Sequence, residues 1–312
     1  MRRGVAVRFK LFSVVLILAV LITMLPAEVG AERRDEWFRT RIPAYQDFYK
    51  LYNPLYRIGA LANYWNLHTY DVLLTRPDPA FIDNAYYEEL KSLALGKRIR
   101  LDPGVEEASP LFGRLTWGVG QSFMWTHALH ENAFDAYAAP GLSMEERHRM
   151  VERATDDYFK NPRALASVEI PMERVRQLPY HGAFARKYPK MIGLIWAGHW
   201  FHGGVYEGQI AVVRAEKTRE QIICDVETEF KRLVLNPPAQ HPHFTHIAPN
   251  FTRLHPRAAG IFANMHMLHD MVADILADDR ITDKRTAIYE ARDMMLYSRT
   301  SSTAEGGTHH AH

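Results

Sequence analysis

Three apolar stretches of this 312-residue chain each carry two histidines three positions apart. WTHALHENAFDAY holds His127 and His130 followed by Glu131, and WAGHWFHGGVYEG holds His199 and His202 with Glu207 beyond them. IFANMHMLHDMVADILA holds His266 and His269 followed by Asp270. On a helix, positions i and i+3 lie about 60° apart around the axis and one turn along it, so each pair offers two imidazoles from one face. Glu131 and Asp270 add an acid four residues after His127 and His266. Inward-facing pairs of this kind are how helical bundles hold metal ions. The candidate ligands are therefore His127, His130, Glu131, His199, His202, Glu207, His266, His269 and Asp270.

Sixteen histidines placed at random in a chain of this length give roughly one pair at i, i+3. There are five, at 127/130, 199/202, 243/246, 266/269 and 309/312. Six imidazoles on three helices exceed one tetrahedral centre, which favours more than one ion, or one ion with imidazoles hydrogen-bonded around it. Cations would also offset the buried carboxylates, which are strongly disfavoured alone. Imidazole with carboxylate suits iron, copper and zinc alike. The reading favoured is a multinuclear iron or copper centre of redox type acting on a small molecule. A zinc-dependent hydrolase, most simply a phosphoesterase using a metal-bound water, is the alternative. A third is an electron-transfer or structural envelope protein binding non-covalent haem b, with two of the histidines as axial ligands and a glycine-rich helix over the ring. Cys224, the single cysteine, excludes intrachain disulfides, thiolate-rich zinc sites and covalent CxxCH haem.

The elements that must position these residues read as helices throughout, and no alternating strand pattern is present. The expected fold is mainly α, a helical bundle with a buried histidine-rich polar centre over residues 32–300. Apolar spacing predicts a long helix over Leu111–Ala138, and Pro140-Gly141 ends it. The next helix has Ser143 as N-cap and Glu146 at the capping-box position, with His148 a solvated residue on it. Met191–Val213 is apolar and contains five glycines, which let a neighbouring helix or a flat cofactor approach the backbone. It reads as a buried central helix, with a membrane span as the competing reading. Arg214–Arg232 reads as a surface helix with Cys224 as a small core residue. Asn236–Arg257 reads as a proline-punctuated loop carrying His241, His243, His246 and His255, a loop long enough to be functional or mobile. Thr282–Ser298 closes the domain as an amphipathic helix. His68 and Asp71 form a lesser pair, expected to be a satisfied polar patch.

Residues 1–31 read as an export signal, with basic residues at Arg2, Arg3, Arg8 and Lys10, an apolar run Leu11–Leu25, and a cut after Ala31. An uncleaved anchor is the alternative, and would be the chain's one contact with a membrane. Either way the body is expected outside the cytoplasm. Apart from these residues the chain is within one charge of neutral, so there is no electrostatic case for a nucleic-acid partner. Residues 301–312 read as a flexible tail whose histidines pick up stray metal.

Overall fold

Pro54, Pro110, Pro189, Pro249 and Pro256 each stand in the first turn of a helix, where the missing N–H breaks no hydrogen bond. The computed structural model describes residues 46–96 and 108–296. The expected leader and tail lie outside them. Fourteen α-helices pack together, and among the described residues there is no strand, only an isolated bridge between Leu165 and Leu296. Seven helices reach twelve residues or more: α1 (Asn53–Thr75), α2 (Trp117–Ala138), α3 (Met144–Tyr158), α4 (Pro189–Val213), α5 (Arg219–Leu235), α6 (Pro256–Ala277) and α7 (Lys284–Met295). No helix among the described residues is long and apolar enough to cross a membrane.

Helix ends follow local chemistry. At α3 the Ser143 hydroxyl accepts from the Glu146 N–H at 3.2 Å while Glu146 accepts from the Ser143 N–H at 2.7 Å, the reciprocal box expected there. Thr218 and Gln221 repeat the device at α5. The helix expected over Leu111–Ala138 is two helices, Pro110–Leu115 and α2, separated at Thr116. The loop expected over Asn236–Arg257 contains the short helices Phe244–Ile247 and Pro249–Leu254. Cys224 is exposed on α5, not in the core, because its helix buries the face carrying Ile222, Val226 and Phe230. His148 is half-buried, its ring stacked 5.0 Å from that of His255.

The chain is built from two copies of one helical pattern. Pro110, Phe112, Arg114, Leu115, Phe123, His127, Leu129, His130, Asp135 and Ala138 recur 139 positions later. Their equivalents are Pro249, Phe251, Arg253, Leu254, Phe262, His266, Leu268, His269, Asp274 and Ala277. Both stretches fold as a six-residue helix followed by one of 22 residues. Upstream, Phe48, Tyr52 and Tyr70 match Phe184, Tyr188 and Tyr206 at a spacing of 136. The contacts repeat as well. Asp71 on α1 accepts the N–H groups of Leu111 and Phe112, and Glu207 on α4 accepts those of Asn250 and Phe251. Asp135 accepts the Phe48 N–H, and Asp274 accepts that of Phe184. Helices α1 and α4 cross where a Cβ on Gly198 would stand 3.2 Å from that of its equivalent, Ala62. Such reciprocal contacts are those a two-fold relation generates.

Gly260 on α6 is needed for a different close approach. A Cβ there would lie 1.8 Å from the Ser167 carbonyl oxygen, on a strap that Asn264 pins through Ala166, Val168 and Ile170. Gly260→Ala is expected to lower the free energy of unfolding by about 2–3 kcal/mol, since backbone must move. Gly204→Ala meets only the half-buried Trp200 ring. It should stay within about 1 kcal/mol of the parent, because alanine's better helix propensity compensates. Urea denaturation of the two variants checks the contrast.

Candidate metal centre

All six histidines of the three pairs are buried, at 0–5% exposure, and they face one another. Helix α2 contributes His127 and His130, α4 contributes His199 and His202, and α6 contributes His266 and His269. Ring centroids lie 4.4 Å apart for His199 and His266, 4.9 Å for His130 and His202, and 5.7 Å for His127 and His269. Two sets of potential ligands result, each with its donor atoms within 4.8 Å of one another. One is His130, His202 and His266, fully buried, with His202 Nδ1 3.3 Å from His266 Nε2. The other is His199, His241 and Asp270, with His241 Nδ1 2.8 Å from Asp270 Oδ2. The stacked rings of His199 and His266 make the two sets neighbours.

Two tyrosines fix the tautomers. Tyr206 Oη lies 2.8 Å from His130 Nδ1 and 3.2 Å from the His130 carbonyl oxygen. A carbonyl only accepts, so the phenol donates to it and the Nδ1–H donates to the phenol oxygen. Nε2 of His130 is then left as a bare lone pair turned into the cluster. Tyr70 repeats this at His269, at 2.7 and 3.2 Å. Each tyrosine belongs to one copy of the repeat and each histidine to the other. Phe262 stacks on His130 at 3.5 Å and Phe123 on His269 at 4.0 Å, again across the two copies. Hydrogen bonds that orient an imidazole and raise its basicity are the usual surroundings of a metal ligand.

What distinguishes this cluster is how many of its polar atoms have no partner. Nε2 of His127, His130 and His269, Nδ1 of His266, both ring nitrogens of His199 and Oδ1 of Asp270 are sealed from water without a hydrogen bond. Buried polar atoms are normally satisfied, and each exception calls for an explanation. The basicity of the rings fits the same picture. Burial drives His127 down to about 4 and His202 to about 3, and holds His130, His199, His266 and His269 well below the ordinary imidazole range, with help from neighbouring rings. All six are neutral near pH 7, the state in which imidazole binds metal.

The acids expected beside the histidines are mostly used elsewhere. Glu207 lies outside both sets and caps the helix Pro249–Leu254 through three hydrogen bonds from Asn250 and Phe251. Glu131 is half-buried and outside every ligand set. Asp270 is in place, held by the Trp196 indole N–H at 3.0 Å. His127 and His269 join the cluster without completing a set of three. His241 is a ligand-set member that its loop position did not single out. The lesser pair is satisfied: His68 bonds Tyr86 at 2.8 Å, and Asp71 caps Pro110–Leu115. A third set of His148, Glu152 and His255 also lies within 4.8 Å. There, however, His255 already contacts Tyr137 and Glu152, and Glu152 pairs with Arg257. The glycines of α4 face no open slot. Pro237 covers Gly193, Ala62 covers Gly198, Ile247 covers Gly203, Trp200 covers Gly204 and Ile222 covers Gly208.

No family model, curated protein or solved structure matches this chain. The case for the centre therefore rests on its own geometry. Buried histidine sets that can hold a metal ion are present, and the donor chemistry, imidazole with a single carboxylate, is that of a transition metal.

Two outcomes follow from this geometry. The unfolded chain takes up protons at its histidines near pH 6.5. The native chain does not do so until about pH 4 at His127 and about pH 3 at His202. Folding stability should be fully present above the unfolded value and fall steeply as the pH drops from 6.5 towards 4. Thermal unfolding of metal-free protein across that window measures it, and a flat profile would contradict neutral burial. Tyr206→Phe should weaken metal affinity by about 10–100-fold at unchanged saturating stoichiometry, read by chelator competition.

Proposed function

We propose that this chain is an exported metalloprotein of redox type, with two adjacent iron or copper ions in the middle of a helical bundle. The observation that carries the reading is the group of orphaned ring nitrogens on His127, His130, His199, His266 and His269: each neutral ring keeps one lone pair, and a cation satisfies a lone pair sealed from water. His130, His202 and His266 would hold one ion, and His199, His241 and Asp270 the other. Iron or copper bound there would supply one-electron chemistry. The chain's own residues bind and orient. Tyr206 presents the His130 nitrogen, Trp196 steadies Asp270, and Phe123 and Phe262 close the aromatic wall.

Enclosure supports redox chemistry over hydrolysis. Of the six members of the two sets only His241 and Asp270 are more than marginally exposed, so an incoming substrate must be small or must exchange only electrons. A hydrolase would need room for an ester and a carboxylate base beside the metal-bound water, and Glu207 is committed to its helix cap. The filled glycines of α4 favour ions over a macrocycle in the same way. Export rests on the basic and apolar pattern of residues 1–31.

Elemental analysis decides the matter. Full-length protein with His309, His310 and His312 changed to alanine, reconstituted anaerobically and desalted, should retain about two tightly held equivalents of iron or copper. His202→Ala and His241→Ala should each remove about one of them, and His148→Ala none. Retention of less than about half an equivalent by the parent would end the metal reading, and zinc alone would return the hydrolase.

A further inference from the structure

The two copies of the helical pattern differ where it matters most for metal binding. Counting 136 positions back, His199 and His202 on α4 correspond to Asn63 and Asn66 on α1. Counting 139, His130 and His266 correspond to His269 and His127. The equivalent of the set His130, His202 and His266 is therefore His269, Asn66 and His127. Geometry bears out the correspondence. His130 and His266 have ring centroids 5.9 Å apart, and His127 and His269 5.7 Å. The tyrosine that orients His130 has its equivalent in Tyr70, which orients His269. Asn66 is buried at 3% exposure, as His202 is.

One contact is missing from the second position. His202 Nδ1 stands 3.3 Å from His266 Nε2, whereas the equivalent atom, Nε2 of His127, is fully buried with no partner. The asparagine side chain is shorter than that of histidine and brings no ring nitrogen to His127, while Nε2 of His269 is unpaired just as that of its equivalent His130 is. Two imidazole lone pairs and one amide oxygen make a weaker donor set than three imidazoles.

We propose that His127, His269 and Asn66 form a third metal position for a copper or iron ion, weaker than the other two. This rests on the metal reading above and adds a site to it. Asn66 sets the weakness. An imidazole there would close the shell, as His202 does in the equivalent set. Tyr70 orients His269 for this position and Phe123 stacks on its ring.

The test is a titration of the full chain, with its three tail histidines changed to alanine, using copper(I) under anaerobic conditions with chelator competition. The expected result is two tight equivalents and a third at least about tenfold weaker. Asn66→His should tighten the third by about tenfold or more, and His127→Gln and His269→Gln should each abolish it while both tight equivalents remain. Circular dichroism confirms that each variant folds, and Asn66→His, a gain, does not depend on tolerance of a loss. Two tight equivalents without a third in the parent, or a third that persists in His127→Gln, overturns this position and leaves the two-ion reading standing. No tight equivalents at all overturns both.

Discussion

A lone pair buried without a partner is among the least tolerable features of a protein interior, and this fold gathers several of them at one point. The rest of the architecture can be understood from that convergence. Neutral imidazole is the one side chain that can be packed like an aromatic residue, as His130 is against Phe262, and still offer a donor atom to a cation. Helices with full-turn spacing bring pairs of them inward, and tyrosines on neighbouring helices hold the ring protons on the outward nitrogens. Ions would complete the polar inventory of this cluster.

The carboxylates show how strictly that interior is kept. Asp71, Asp83, Asp135, Glu207 and Asp274 all accept backbone N–H groups at or beside the start of another helix, where the helix dipole and free donors welcome an anion. Burial raises Asp135 to about 6 and Asp274 to about 7, against the pull of those hydrogen bonds. All but Asp83 thus fasten short helices around the bundle, and Asp83 meets the start of α4. Asp270 alone, among the acids of the three histidine motifs, is placed in a ligand set.

Much of this was legible in the residues. The helical class, the capping box at Ser143, the buried character of α4 and the inward pairs at 127/130, 199/202 and 266/269 all follow from period, caps and spacing. Three things were not. Glu207 looks like a ligand because sequence spacing says nothing about which free N–H groups a distant helix start will offer. Tyr70, Tyr206 and His241 act across 29 to 199 residues of separation, beyond any local pattern. Cys224 was misjudged because an apolar triplet, IIC, occupies more of a helix circumference than one face can bury. The repeat, by contrast, was readable at a spacing of 139, from Pro110 and Pro249 to Ala138 and Ala277. Its upstream half, at a spacing of 136, pairs Tyr70 with Tyr206 and Asp71 with Glu207.

The crossed tyrosines carry a consequence for how such a chain could have come about. Each copy of the repeat lends its phenol to the other's imidazole, so a lone copy has an unoriented ring and a phenol with nothing to orient. Two identical copies could have met as a symmetric dimer, with every ligand present twice. Within one polypeptide the two copies are free to differ, and Asn66 in one stands where His202 stands in the other. The asymmetry of the cluster is one that no pairing of equal subunits could express.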